Sequence, residues 1–349
     1  MEDTILQNVD TLKSALGIET KANEAMHSTQ AGFGDEYVPT EMAANVIEAA
    51  RDRSTILGEI TNIWDMPTNP FTVPVEGDDA AFYLTDEEDT VTGTDVTRSK
   101  VGTSLLTLTA KKFSASVFLT SELIEDAKIA GGIRSHVERQ LGKKFAEVVD
   151  NVILNGDVVT AATGNINSDN AARTAGTPDL AFDGLRKAAF AGTKTLDVGV
   201  LDSGDFMAVR ALLGGKYGAN PQDLLIIMNP ETYFKTQTLA QLQGIDTFGG
   251  AATLQNGVLQ YLYGIKVVVS SQFGLTEADG KINTSAGLNT KGGFLVVYKP
   301  AMNFGWKRKL QLHVEFLPRV DQYCITAHSR LSFGLARAGM AALGFNATV

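Results

Sequence analysis

Cysteine occurs once, as Cys324, so the chain can hold no internal disulfide and no cluster of thiolate metal ligands. Histidine is almost as scarce: His27, His136, His313 and His328 follow no metal-ligand spacing. The chain has no GxxxxGK[ST], no GxGxxG after a strand, no GxSxG and no HExxH. It therefore lacks a phosphate loop, a dinucleotide turn, a nucleophile elbow and a zinc helix. No apolar run approaches the ~20 residues of a membrane-spanning helix. The start, MEDTILQNVDTLKSALG, has neither the basic end nor the apolar centre of a signal peptide. The expectation is a soluble protein made inside the cell, with no membrane partner. Positive charge is also short: 30 Lys and Arg face 40 Asp and Glu, for a formal charge of −10. That balance argues against a protein whose task is to neutralise nucleic-acid phosphates.

What remains is an ordered globular chain of 349 residues, 44% apolar and 20% charged, long enough for two domains or one with large insertions. Its best-defined stretch is residues 120–156. There Ile133, Val137, Leu141, Phe145, Val148 and Val152 recur at steps of four and three, as one face of a helix over residues 133–154 requires. Such a helix is about 33 Å long at ~1.5 Å per residue, and Asn155-Gly156 reads as its left-handed stop. Steps of four make the stripe wind around the axis, so it can touch more than one partner. Arg134, Arg139, Lys143 and Lys144 form a basic side, with His136 on the polar face. Thr120 is placed to cap a shorter acidic helix in front.

Elsewhere the pattern changes by region. Helical spacing within residues 1–25 and again over 41–53 brackets a polar, glycine-containing linker. Trp64, Phe71, Val73 and Val75 alternate with polar residues in an extended, proline-bearing stretch. Residues 76–104 form a long acidic and then Thr/Gly-rich excursion. Two alternating strands follow, with a phase shift at Lys111-Lys112 that suggests a bulge. Residues 157–179, rich in Gly, Ala, Asn and Thr, read as a domain boundary. Beyond them the runs LLIIM, IKVVV and FLVVY alternate with helices, the mark of a sheet covered on both faces. The glycine-rich residues 244–257 read as an exposed loop, and the chain ends in strands over 311–316, 325–331 and 340–345.

No convergent acid, base or nucleophile emerges. Cys324 reads as a small core residue. The acids Asp86, Glu87, Glu88 and Asp89 lack the DxDxDG pattern of a calcium loop, and Trp306-Lys307-Arg308-Lys309 is the most basic spot. An enzyme with its site at the carboxyl ends of the three buried strands is the weaker reading.

The segments KKFSASVFLTSELIEDA, LGKKFAEVVDNVILNGD, LIIMNPETYFK, YGIKVVVSS and VDQYCITAHSRLSFGLARAGMAALGF, in this order and spacing, resemble the major capsid proteins of tailed bacteriophages. The resemblance covers about residues 35–349. It implies the Hong Kong 97 fold, an α+β architecture with an N-terminal arm (1–55), an extended β-hairpin loop and its base (56–110), and a peripheral domain with a long spine helix (111–179). An α/β axial domain (180–299) and a return to the peripheral domain (300–349) complete it. The family's role is to self-assemble, as hexamers and pentamers, into an icosahedral shell around double-stranded DNA. Portal and scaffolding proteins, and in some members a decoration protein, are the partners it implies. No cofactor, metal or catalytic residue is expected, and the place of the protein is the virion, assembled in the host cytoplasm. An encapsulin-type compartment shares the fold and is the alternative. Candidate inter-subunit contacts are Asp86, Glu87, Glu88, Asp89, Arg98 and Lys100 in the loop, against Lys307, Arg308 and Lys309. The spine stripe is the expected packing seam.

Overall fold

A computed structural model describes residues 55–77, 79–84, 98–127, 132–169, 171–243 and 258–349. The helices expected over 1–25 and 41–53, the acids 86–89 and the loop 244–257 lie outside these residues. Two larger sheets, a two-stranded ribbon and one long helix organise the rest.

The first sheet has the order β1 (Asn62–Asp65), β10 (Met302–Leu317), β11 (Gln322–Leu335), β4 (Lys111–Thr120). β1 runs parallel to β10; the other pairings are antiparallel. Residues in β11 alternate as a one-sided sheet requires: Ile325, Ala327, Ser329, Leu331 and Phe333 are buried, whereas Thr326, His328 and Arg330 are not. Helix α2 (Gly132–Asn155) covers the buried face, after a short α1 (Ser121–Asp126) capped by the Thr120 hydroxyl, which accepts from Leu123 N–H at 3.3 Å. Phe145 of α2 meets Trp306 of β10 with ring centroids 6.3 Å apart.

The fully buried residues of α2 all fall in its last two turns: Val149, Asp150, Val152, Ile153, Leu154 and Asn155. Ile133, Val137, Leu141, Phe145 and Val148 are half-buried. The helix thus deepens towards its end, where neighbours surround it and a single stripe no longer describes its burial. The expected left-handed stop is absent, because Gly156 is not among the glycines with positive φ. It is required for space: a Cβ there would overlap the Phe182 and Val152 carbonyl oxygens. Gly184, whose N–H donates to Gly156 O at 2.8 Å, is confined in the same way.

The ribbon pairs β2 (Phe71–Glu76) with β3 (Thr103–Leu108) from Phe71↔Leu108 to Glu76↔Thr103. The phase shift at Lys111-Lys112 is therefore no bulge. It marks the chain leaving the ribbon for the first sheet, and Ala110 N–H donates to Asn69 Oδ1 at 2.8 Å across that turn. Changing sheets resets which side of a strand is buried, which reads in sequence like a one-residue slip.

The second sheet has six strands in the order β5 (Thr195–Asp197), β12 (Ala341–Thr348), β9 (Lys291–Tyr298), β6 (Leu224–Met228), β8 (Ile265–Val269), β7 (Tyr261–Leu262). Its central strands are buried on both faces. Leu225, Ile227, Leu295, Val297, Ala341 and Leu343 join one core, with the end of α2 and with Leu185 and Ala189 of α3 (Leu185–Ala191). Leu224, Ile226, Met228, Phe294, Val296 and Ala342 join another with Phe206 and Val209 of α4 (Ser203–Leu212). The boundary expected at residue 300 fails for the chain's end, since β12 sits between β5 and β9. Its unbroken apolar run, Met340-Ala341-Ala342-Leu343, suits a sheet covered on both faces better than the alternating first sheet. The first core also contains Phe304, Leu331 and Phe333, so it passes without a break from one sheet to the other.

Candidate assembly surfaces

A buried polar network lies where the end of α2 meets α3 and residues 157–183. Arg186 is fully buried and donates to Asn155 Oδ1 at 2.9 Å and Gly280 O at 2.7 Å, with its guanidinium 5.8 Å from the Phe273 ring centroid. Burial lowers its pKa to about 10, against the attraction of Asp279 and Asp157. Asp157, also buried, accepts from Ile166 N–H at 2.8 Å and pairs with Lys187 at 3.1 Å. Asn165 accepts from Ser168 N–H at 2.7 Å, Arg173 pairs with Asp179, and Ile166 and Asp169 exchange backbone bonds of 2.9 Å with Ile282. The connection over 157–179, read from composition as a domain boundary, is thus pinned along its described residues. Short polar side chains here bond backbone groups instead of meeting solvent. Lys187 of this network also lines a cleft of about 490 Å³ with Val158 and Asp183, and the network fixes α2 against the second sheet.

The outward features are of another kind. At the far end of the ribbon, Arg337 Nη2 donates to Glu76 O at 2.5 Å and Lys216 Nζ to Asp79 Oδ2 at 2.8 Å. That hydrogen bond holds the Asp79 carboxyl below, and the Lys216 ammonium above, their ordinary ranges. Just beyond, Phe82 and Leu84 are fully exposed, at 101% each. Arg98 and Lys100 are exposed in the segment that leads into β3.

Of the basic cluster, Lys307 Nζ donates to Pro67 O at 2.5 Å and is half-buried, whereas Arg308 and Lys309 are exposed. Arg308 lies in register with Arg330, which lies in register with Lys112, so three cations stand side by side across β10, β11 and β4. Among the described residues none of the three has an ion-pair partner. On the same face His328 is half-buried, 6.2 Å from the His313 ring, and its pKa is lowered by burial and then by Lys112, His313 and Arg308. Cys324 is half-buried on this face, its Sγ 3.3 Å from Thr326 Oγ1, and is not a core residue. Lys112, noted in the sequence only for the phase shift, and Arg330 are not among the expected contact residues, because nothing local announces a cross-strand register.

A groove of about 420 Å³ lies where β4 meets α2. Phe113, Leu141, Phe145 and Val148 line it together with Lys111, Lys112 and Lys144. Among the described residues, no three His, Cys, Asp or Glu converge as a metal site, and no helix is long and apolar enough to cross a membrane.

A mixed sheet fed by a spine helix, a tethered hairpin and long paired strands define a shell-type α+β fold of the Hong Kong 97 kind. The same fold is seen in a structure from Microbacterium phage Oxtober96, at 13% identity and TM-score 0.63, covering 90% of this chain and 98% of that one. One from Mycobacterium phage Bobi matches at 13% identity and TM-score 0.64, covering 92% and 98%. The capsid of an empty GTA particle matches at 16% identity and TM-score 0.63, covering 94% and 100%. No curated protein matches in sequence. A model of the phage capsid family matches residues 34–286, and the chain belongs to that family.

Proposed function

We propose that this chain is the major head protein of a tailed phage, closing by self-association of hexamers and pentamers into an icosahedral shell around double-stranded DNA. The family match over residues 34–286 carries the reading. The geometry is consistent with it, because several outward features are of a docking kind: exposed Phe82 and Leu84, a row of cations with no ion pair among the described residues, and an apolar groove that bears lysines. The role is structural, not enzymatic. The ribbon with residues 77–102 serves as the extended loop, the first sheet with α2 as the peripheral domain, and the second sheet, including β12, as the axial domain. Portal and scaffolding proteins are the further partners, and assembly takes place in the host cytoplasm. Electron microscopy of the purified chain tests this: closed icosahedral shells are expected, and a small stable oligomer at all concentrations overturns it.

A further inference from the structure

We propose that two copies of the chain join edge to edge through residues 311–317 of β10, antiparallel and about a two-fold axis at Val314. The inference rests on the shell reading and specifies one of its self-contacts.

β10 outruns its outer neighbour. β1 pairs only with Asn303 to Trp306, and past that point no described strand lies along the outer edge of β10. The register with β11 shifts twice between Trp306 and Gln311, then runs unbroken from Gln311↔His328 to Leu317↔Gln322. This regular stretch is about 23 Å long at ~3.3 Å per residue, and every second residue turns its N–H and C=O outward. Such an edge is a template for another strand unless a bulge, a proline or a lysine blunts it. Here the register shifts and Lys307-Arg308-Lys309 come before the stretch and Pro318 after it, and none falls inside.

The side chains along this edge complement themselves. Leu312 and Phe316 are 40% and 43% exposed, with half-buried Val314 between them, on the face shared with Ala327 and Ile325. Phe316 rests against Tyr323 of its own chain, ring centroids 4.8 Å apart. On the opposite face His313 and Glu315 are exposed, and Glu315 has no ion pair among the described residues. With Val314 on the axis, Leu312 of each copy lies opposite Phe316 of the other, and His313 opposite Glu315. Apolar–aromatic pairs and an imidazole beside a carboxylate are both favourable directly across two strands. The adjacent registers lose this match: an axis at His313 sets the two imidazoles against each other, and an axis at Glu315 sets carboxylate against carboxylate. Any register between these turns the apolar face of one copy to the polar face of the other, because side chains alternate with period two. The edge therefore fits a second copy of itself, in an isologous contact.

Disulfide trapping reads the register. Cys324 lies in register with Glu315 and is first replaced, as Cys324→Ser. In that background Val314→Cys should form a cross-linked dimer by itself on oxidation, since its opposite number is the same residue. His313→Cys and Glu315→Cys should cross-link when co-expressed and not when expressed singly. In a second arm, His313→Glu should raise at least tenfold the protein concentration at which assemblies form, by facing Glu315 with a like charge. Adding Glu315→Lys to it should restore the wild-type concentration, which a merely structural role of either exposed residue does not explain. Shells without these cross-links, His313→Cys chains that dimerise alone, assembly of His313→Glu at the wild-type concentration, or no rescue by Glu315→Lys each overturn the pairing and leave the shell function standing. Cross-linked dimers that never form shells keep the pairing and overturn the shell reading. Chains that stay monomeric without a cross-link overturn both.

Discussion

Glycines 142 and 156 show how one residue type answers two different demands. Gly142 lies within α2 with nothing near the position of a Cβ, so its only effect is the entropic weakness of glycine in a helix. Gly142→Ala should raise stability by about 0.5–1 kcal/mol in urea unfolding. Gly156→Ala should do the reverse, by at least ~2 kcal/mol, because a methyl group there meets backbone from two segments that cannot yield independently. Arg186 belongs to the same junction. Arg186→Met would leave Asn155 Oδ1 and Gly280 O buried without their donor, and a loss of about 2–4 kcal/mol is expected in the same measurement. The identity of these residues was visible in the sequence but their roles were not. A helix stop and a tight contact both use glycine, and a buried arginine looks like any surface arginine until its neighbours are known.

At the scale of elements, legibility followed the period of burial. The span of α2 could be read to within a residue at each end from its apolar spacing, and the runs LLIIM and IKVVV coincide with β6 and β8. The ribbon-to-sheet crossing at Ala110 and the placement of β12 could not be assigned, since alternation within a strand carries no information on its neighbour. The cation row across β10, β11 and β4 is a product of register alone. Like charges directly opposite cost about 0.2–1 kcal/mol, so Arg330→Gln should raise the stability of the unassembled chain by that order while weakening assembly. His328 adds a pH dependence. Its folded pKa lies below the ordinary 6.5, so the unfolded chain binds the proton more readily. Its contribution is fully present above pH ~6.5 and is lost as pH falls towards the folded value. His328→Gln should flatten the profile of stability against pH in that acidic window.

At the scale of the whole molecule, the continuous core joining both sheets makes the subunit a stiff body, and assembly must then be carried by its outlying parts. The proposed pairing of Asp86, Glu87, Glu88 and Asp89 with the row Lys112, Arg330 and Arg308 of a neighbouring copy is screened over a Debye length of ~8–10 Å at ordinary ionic strength. Each exposed pair is worth only ~0.2–1 kcal/mol, so the effect becomes decisive only through repetition over many identical contacts. Changing the four acids to lysine should therefore block shell formation at low salt. A second set of substitutions, Lys112→Glu, Arg308→Glu and Arg330→Glu, should restore it when combined with the first, and each set alone should leave the subunit folded. Light scattering and electron microscopy of the two single-set variants and their combination decide the matter: shells from the four-lysine variant alone, or no rescue by the combination, show that the acids bind elsewhere.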